Sequence, residues 1–266
     1  MTLCVTWKDS QGLHMASDSR LTFGRDTRID IGIKLLRMPC RIYGPWYRNA
    51  RDLLHEIDVA LLISGSHVTS AVTKESLEEV LKSLQAVPGQ TRVSFEKVAK
   101  VCFVTYRQIS RKVCEAFVGP KGIAGIHLAG YCPERKKLRV FEFSTNKETN
   151  EHHCEEVLEQ PIGFRFMGSG KRLAENHVSV SGCTAYQALH RVIDSKEELT
   201  VGGPIQYGRF SEKEFRIYLQ SELEGGVVRF PRGGLDLNAA AFSEEPDDLF
   251  LSISMLEQGK ILRVDE

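Results

Sequence analysis

Apolar and polar residues alternate at the start of the chain. Residues 3–8 and 12–19 each alternate loosely between the two types, with Gly12 in the turn between them. Because successive side chains of a strand point to opposite faces, the pattern predicts a β-hairpin. A second turn around Gly24 leads into a short strand predicted near 31–36.

Helical periodicity follows the apolar run 59–63. Apolar residues recur at three-to-four-residue spacing over 72–84 and again over 95–117, which predicts two amphipathic helices. Ser66 has the side chain expected of the first helix's N-cap. Pro88-Gly89 is expected to end that helix.

The second half of the chain repeats the order of strands followed by helices. This order predicts an α+β protein in which helix pairs pack outside two antiparallel sheets. The predicted elements are strands at 123–130, 138–143 and 163–168, helices at about 170–179 and 183–195, strands near 204–210 and 214–219, and further apolar runs at 249–253 and 261–264.

Residues 38–58 interrupt this pattern. They contain two prolines, Gly44, Trp46, Tyr47 and several arginines, a composition that predicts an insertion or a lid-like loop. There is no evident linker or internal repeat. We therefore expect one domain over 1–266, with this insertion and a C-terminal extension from about 221.

Composition narrows the class of protein. The 266 residues are 42% hydrophobic and 26% charged, which suits a globular fold with a sizeable core. Lys plus Arg and Asp plus Glu number 35 each, so no net field favours nucleic acid or an anionic membrane.

There is no apolar run of about 20 residues and no secretory pattern. Seven scattered cysteines favour reduced thiols. We expect a cytoplasmic protein.

Thr2 is the sharpest candidate for chemistry. Removal of Met1 would leave it with a free α-amine, whose ordinary pKa of about 7.7–8.0 allows it to act as a base near neutrality. An N-terminal threonine thus carries nucleophile and base together. Asp18 and Lys34 follow at equal intervals of sixteen residues. The Lys ammonium would favour the neutral amine, and the Asp would hold the Lys. The plain alternative is that these residues have no catalytic role, because many proteins begin with Met-Thr and because Asp and Lys are common residues.

The local sequence adds a family resemblance. Ala16-Ser17-Asp18-Ser19-Arg20-Leu21-Thr22, between Thr2 and Lys34, resembles the signature A-A-D-x-R-x-T of proteasome β-type subunits. Gly168-Ser169-Gly170 resembles the later G-S-G turn of that family. Val201-Gly202-Gly203-Pro204-Ile205 resembles its turn after the fourth helix. The resemblance covers about 2–36 and 59–220 and is nearest the Anbu type of bacterial subunit.

The resemblance implies the four-layer αββα sandwich of N-terminal nucleophile hydrolases. It also implies that Thr2 is the nucleophile, with Asp18 and Lys34 as its charge partners. Ser169 would be an orienting hydroxyl near the Thr2 amine, and the backbone N–H of Gly65 an oxyanion donor.

Two positions depart from the family pattern. Glu198 stands where the family has an aspartate, and it could substitute for it. Val201 stands where the family has a serine, and it cannot supply a hydroxyl, although Thr200 is its neighbour. We therefore expect an intact Thr–Asp–Lys set with altered surroundings.

The expected function is threonine-type hydrolysis of peptide bonds, without a metal or organic cofactor. The resemblance implies a homo-oligomeric ring or spiral that admits peptides or unfolded proteins. An ATP-dependent unfoldase is a further candidate partner, although no motif identifies one. Two alternatives stay open: a non-catalytic scaffold subunit, and an amidase that acts on small molecules.

Two other motifs favour ordinary structure. His152-His153-Cys154 could ligate zinc, but no second pair is suitably spaced, so a solvated strand or loop is the better interpretation. Gly168-Ser169-Gly170-Lys171 looks like a phosphate loop, but the residue after Lys171 is Arg172 rather than Ser or Thr. Cys183, near a predicted helix start, is expected to be a buried packing thiol.

Overall fold

The structure is a computed structural model that describes residues 2–24, 27–45, 52–89, 92–116, 119 and 122–218, and the backbone of four short strands between 222 and 236. The helices are α1 (His67–Lys82), α2 (Phe95–Ala116), α3 (Lys171–Ser181) and α4 (Ala185–Ser195). The strands are β1 (Leu3–Asp9), β2 (Gly12–Ser17), β3 (Leu21–Phe23), β4 (Thr27–Ile29), β5 (Leu35–Tyr43), β6 (Leu53–Gly65), β7 (Leu84–Gln85), β8 (Ala124–Cys132), β9 (Lys137–Thr145), β10 (His152–Val157), β11 (Gly163–Gly168), β12 (Gln206–Ser211), β13 (Glu214–Tyr218), β14 (Glu222–Glu224), β15 (Val227–Arg229), β16 (Pro231–Arg232) and β17 (Leu235–Asp236).

Two sheets form the centre of the molecule. Sheet one has the strand order β11-β1-β2-β12-β13 and is antiparallel throughout. Sheet two has the order β10-β9-β8-β6-β5-β7 and is antiparallel except where β7 joins β5. Helices α3 and α4 pack on sheet one, and α1 and α2 pack on sheet two. The predicted four-layer αββα sandwich is therefore confirmed.

Alternating side chains on the central strands build the layers. On β1, Leu3 and Val5 pack under α3 and α4, whereas Cys4 lies between the sheets. On β6, Leu61 packs under α1 and α2, whereas Leu62 lies between the sheets. Both faces of these strands are buried, which explains why β6 ends in a nearly continuous apolar run.

The first predicted helix begins where expected and ends early. The Ser66 hydroxyl accepts a hydrogen bond from the Thr69 N–H at 3.4 Å, which confirms Ser66 as the N-cap of α1. Helix α1 ends at Lys82, well before Pro88. The chain turns there because Leu84 starts β7, which adds to sheet two beside β5.

The prediction of a lid-like loop over 38–58 is wrong for the residues that the structure describes. Strand β5 runs through to Tyr43 and pairs with β6 from Leu53 onward, with one bulge at Ile42/Tyr43. Met38 and Ile42 point inward, and the neighbouring Arg37 and Arg41 point outward to acidic partners on β6. Residues 46–51 lie outside the described part of the chain.

Elsewhere in the chain, the strands agree with the prediction in part. The strand expected near 31–36 begins only at Leu35, and the turn at Gly24 instead joins the short strands β3 and β4. The other strands and helices predicted between 123 and 219 are present within a few residues of their expected bounds. The apolar runs at 249–253 and 261–264 lie outside the described residues.

All seven cysteines are free thiols, and only Cys154 is exposed. Burial raises the pKa of the Cys40 thiol to about 12 and that of the Cys154 thiol to about 11. Cys183 packs in the apolar layer between sheet one and its helices, as expected. No helix within the described ranges has the length and apolarity needed to cross a membrane.

A polar bridge crosses the layer between the two sheets. The His127 ring, fully buried on β8, lies 2.8 Å from the Thr6 hydroxyl of β1 and 3.4 Å from Glu142 of β9. Glu142 also accepts a hydrogen bond from Arg165 Nε of β11 at 2.6 Å. The bridge therefore holds the middles of β1 and β11, the two strands that adjoin Thr2 and Ser169.

Replacing Glu142 with glutamine should destabilise the protein in a pH-dependent way. Burial alone would raise the pKa of Glu142, but hydrogen bonds from His127 and Arg165 outweigh it and lower that pKa from 4.5 to about 2. A carboxylate whose pKa is depressed by folding stabilises the protein above its unfolded pKa, and the contribution is lost as the pH falls through the folded pKa.

We therefore expect the stability difference between wild type and E142Q to be full above about pH 4.5 and to shrink toward pH 2. Urea unfolding at a series of pH values measures this difference. A difference that does not change with pH would contradict the assignment.

Candidate active site

Asp18 directly follows β2, and its fully buried carboxylate is the centre of the site. Its Oδ1 accepts hydrogen bonds from Lys34 Nζ at 2.8 Å and from the Leu3 N–H at 3.0 Å. Its Oδ2 accepts from the Arg20 N–H at 3.2 Å and the Gly202 N–H at 3.1 Å. One carboxylate thus ties the start of β1 to the lysine and to the late Gly-Gly turn.

Both the side chain and the backbone of Lys34 are fixed by hydrogen bonds. Its side chain is only 6% exposed, and Nζ donates to the Arg20 carbonyl at 2.7 Å as well as to Asp18. Its backbone N–H donates to the Gln206 amide oxygen at 3.0 Å, and its carbonyl accepts from the Ile63 N–H at 3.0 Å. The ammonium therefore has a fixed position beside the first residues of β1.

Thr2 is buried at the start of β1, next to the G-S-G turn. Its nitrogen, which is a peptide N–H while Met1 is attached, donates to Ser169 Oγ at 3.2 Å, and its carbonyl accepts from the Gly170 N–H at 3.4 Å. Gly168 has a φ of +102°, and a Cβ there would collide with the Thr2 carbonyl oxygen. Glycine is therefore required where this turn passes the chain start.

Gly65 is the last residue of β6. The Ile63–Lys34 hydrogen bond places this strand end beside the buried lysine. Gly65 has a φ of +100°, and a Cβ there would lie 2.5 Å from the Ile123 carbonyl oxygen. The position is thus restricted to glycine, and it lies at the same end of the sandwich as Thr2.

The structure shows where Glu198 and Val201, the two positions that depart from the family pattern, lie. Val201 is buried among apolar residues beneath α3 and α4, so it points away from the site. The Thr200 hydroxyl lies 2.8 Å from Ser169 Oγ and donates to Glu198 Oε1 at 2.5 Å. Glu198 therefore reaches Ser169 through Thr200. Sequence reasoning noted Thr200 only as a neighbour, because the turn conformation decides which side chain faces the site.

Arg20 has a role that the sequence analysis did not assign. Its guanidinium pairs with both carboxylate oxygens of Asp30, at 2.8 and 2.9 Å, and also donates to the Val201 carbonyl at 3.2 Å. A Cβ at Gly202 would collide with the guanidinium. The sequence feature that could have indicated these contacts is the position of Arg20 in the segment that resembles A-A-D-x-R.

Exposed apolar side chains flank the site. Phe23, Ile31 and Ile33 are 43%, 50% and 39% exposed. The Phe23 ring packs against His67 at the start of α1, with ring centroids 6.0 Å apart. The Ile33 carbonyl accepts from Lys74 Nζ on the same helix at 3.3 Å. A surface with apolar character thus lies beside the buried Asp18–Lys34 pair.

The remaining motifs lie elsewhere. His152-His153-Cys154 is in strand β10, at the edge of sheet two. The sequence analysis preferred such a strand or loop to a zinc site. Within the described residues, no cluster of three or more His, Cys, Asp or Glu side chains could hold a metal ion. Lys171 starts α3 directly after the G-S-G turn.

The layered fold, with Thr2 at the head of a central strand, is that of the proteasome-like N-terminal nucleophile hydrolases. More particularly, it is the Anbu type of this fold. Anbu, the ancestral β-subunit, from Yersinia bercovieri has a TM-score of 0.56 and 16% identity, covering 81% of this chain and 86% of that chain. The helical assembly of the Anbu complex from Pseudomonas aeruginosa has a TM-score of 0.56 and 18% identity, covering 91% and 89%.

A further similar structure is the Anbu Gly-1 mutant from Hyphomicrobium sp. strain MC1. Its TM-score is 0.56 at 16% identity, with 82% of this chain and 87% of that chain covered. No family model matches the sequence, and no curated protein does. The similarity confirms the fold inferred from the sequence motifs; at this identity it carries no statement about activity.

Proposed function

We propose that the protein is a threonine-type peptide-bond hydrolase. The observation that carries the proposal is the hydrogen-bonded set around the chain start. The Thr2 nitrogen contacts Ser169 Oγ, and a buried Asp18–Lys34 pair is bonded to the next residue, Leu3. A buried ion pair is costly to hold, so its place beside a nucleophile candidate supports a catalytic role.

The proposed reaction begins after Met1 is removed. The Thr2 amine takes the hydroxyl proton while Oγ attacks the carbonyl carbon of the scissile bond. The amine then gives this proton to the leaving nitrogen, and an ester forms on Thr2. Water, deprotonated by the same amine, hydrolyses the ester and releases the carboxylic acid product.

Two groups would stabilise the charged states. The Lys34 ammonium, held by Asp18, favours the neutral amine and the developing alkoxide. The backbone N–H of Gly65, at the end of β6, would donate to the oxyanion. No metal or organic cofactor takes part in this scheme.

Polypeptide is the better substrate class than a small amide. The described parts of 38–58 are strands of sheet two, so they contribute no lid over a small-molecule pocket. The exposed Phe23, Ile31 and Ile33 provide apolar surface for an unfolded segment. A non-catalytic scaffold role is less well supported, since it does not require a buried Lys34 ammonium next to the start of β1.

Assembly into a homo-oligomeric ring or spiral is also part of the proposal. A similar structure is described as a helical assembly of the Anbu complex. A chamber formed by such an assembly would restrict entry to peptides or unfolded chains. Folded substrates would then need an ATP-dependent unfoldase. The free cysteines are compatible with a reducing cytoplasm.

Intact-mass analysis followed by a peptide epoxyketone tests the proposal. We expect purified protein to lack Met1, and the reagent to add once, on Thr2. A control with one glutamate inserted between Met1 and Thr2 should keep Met1 and form no adduct. Fully trimmed protein that forms no adduct on Thr2 would refute the proposed function.

A further inference from the structure

A cavity lies between α2 and the short strand β7, at the edge of sheet two. Its volume is about 390 Å³, within the usual range of pockets that bind small molecules. Its aliphatic lining includes Ile42, Leu84, Val87, Val93, Val98 and Val101. Arg92 and Lys97 line it as well. We propose that this cavity binds an aliphatic carboxylate, with the hydrocarbon chain against the valines and the carboxylate beside the two cations.

The wall of the cavity is continuous with the core between sheet two and its helices. Ile42 and Val98 are buried in that core, and Leu84 packs against it. Toward solvent, Val87 and Val101 are 65% and 40% exposed. The cavity thus leaves apolar surface in contact with water. A hydrocarbon chain that covers this surface is stabilised because apolar area is removed from water.

The charged side chains of the cavity have one sign. Arg92 and Lys97 are both exposed, and none of the described residues that line the cavity is acidic. The neighbouring Glu96 is directed to Arg139, which donates to it at 3.3 Å. Arg92 also lines an adjoining cavity that contains Glu134, whereas Lys97 does not. An anionic head group beside Lys97 therefore meets a favourable potential.

Side chains rather than the helix backbone would bind the anion. Helix α2 begins beside the cavity, but its first N–H groups already have acceptors. The Phe95 N–H donates to Cys132 Sγ at 3.4 Å, and the Glu96 N–H donates to Ser94 Oγ at 3.3 Å. The remaining donors are an ammonium and a guanidinium, and the planar guanidinium matches a carboxylate with two parallel hydrogen bonds.

Both parts of the ligand follow from this lining. Inorganic phosphate would pair with the cations but leave the valines in water. A neutral alcohol would cover the valines but leave the cations without an anion. An aliphatic carboxylate satisfies both requirements.

The cavity is separate from the candidate active site. Lys34 directly precedes β5, whereas Ile42 is close to the other end of that strand. At about 3.3 Å per residue, about 23 Å of strand lies between Leu35 and Ile42. The inference therefore does not depend on the proposed function, and its test can succeed or fail whether or not Thr2 is the nucleophile.

Titration calorimetry on the full-length protein tests the proposal, with decanoate as the probe and decanol, acetate and inorganic phosphate as comparisons. We expect decanoate, below its micelle concentration, to bind saturably at one molecule per chain. It should bind at least about tenfold more tightly than each comparison compound, since each lacks either the charge or the hydrocarbon chain. If decanol or phosphate binds as tightly as decanoate, or if decanoate uptake does not saturate, the proposal is overturned.

Lys97→Met and Lys100→Met are matched variants that test the charge. Both lysines are exposed on α2, and of the two only Lys97 lines the cavity. We expect Lys97→Met to weaken decanoate binding about fivefold and to leave decanol binding unchanged, the scale of one exposed ion pair. Lys100→Met should change neither. Equal effects of the two substitutions would assign the attraction to the general charge of α2 and refute the site.

Val101→Asp and Val68→Asp test the apolar wall in the same way. The two valines are exposed to a similar degree, at 40% and 43%, but Val68 is on α1 and does not line the cavity. We expect Val101→Asp to weaken both decanoate and decanol about tenfold, and Val68→Asp to weaken neither. Wild-type affinity of Val101→Asp for both compounds would show that the hydrocarbon chain does not occupy this cavity.

Discussion

Replacing Thr2 with alanine should reduce peptide hydrolysis by at least about 10⁴-fold, since the nucleophile is removed while the base remains. Alanine is also small enough to allow Met1 removal, so the variant should keep a free α-amine in the same place. The change therefore separates loss of the nucleophile from loss of processing. Steady-state hydrolysis of a peptide amide, with intact mass to confirm trimming, measures the effect.

Thr2→Ser is the matched control for this substitution. Serine supplies a hydroxyl at the same position and should retain activity within about tenfold of wild type. Both variants keep the backbone contacts of Thr2 with Ser169 and Gly170. If the alanine variant kept more than a tenth of wild-type activity, Thr2 would not be the nucleophile and another residue would have that role.

The sequence predicted most of the fold because each central strand has two buried faces. Leu3 and Val5 face the helices while Cys4 faces the other sheet. All three are apolar, so residue type identifies the strand but does not say which face each side chain takes. The helices were equally evident from their period, and the Ser66 cap was confirmed. Local patterns determine these elements, so no tertiary information was needed.

The segment 38–58 was misread because tertiary pairing overrides its composition. Pro39 suggests a break, but β7 pairs with Ile42 and Tyr43, and among the described residues no strand pairs with Pro39 on that side of β5. A proline is tolerated at such an edge. The arginines of this segment suggested a loop, yet Arg41 pairs with an acidic residue of β6, as does Arg37 just before the segment. Those partners cannot be identified before the register is known.

The charges of the candidate site and the Ser169 hydroxyl were predictable, but the hydroxyl that meets Ser169 was not. Asp18 and Lys34 were chosen by type and spacing, and the structure places them in contact. Counting along the sequence pointed to Val201, whereas Thr200 is the residue that meets Ser169. The backbone of one turn decides between these two neighbours, and no residue pattern encodes that choice unambiguously.

Replacing Asp18 with asparagine should destabilise the fold by about 3–5 kcal/mol, the cost of leaving a buried charge without its partner. Its two oxygens accept four hydrogen bonds, from Lys34 and from the N–H groups of Leu3, Arg20 and Gly202. An asparagine amide has only one acceptor oxygen, and its NH₂ group would face donors. Chemical denaturation measures the loss, and peptide hydrolysis should also fall below detection.

Lys34→Met gives the complementary result and serves where the asparagine variant fails to fold. It removes the ammonium but leaves the Asp18 carboxylate three main-chain N–H donors, so its stability loss should be smaller than that of Asp18→Asn. Its loss of hydrolysis should be as complete, because the amine and the alkoxide lose their cation. If Lys34→Met hydrolysed peptides at the wild-type rate, the buried pair would be structural only. The ratio of activity loss to stability loss in the two variants therefore separates the catalytic role of the lysine from the structural role of the aspartate.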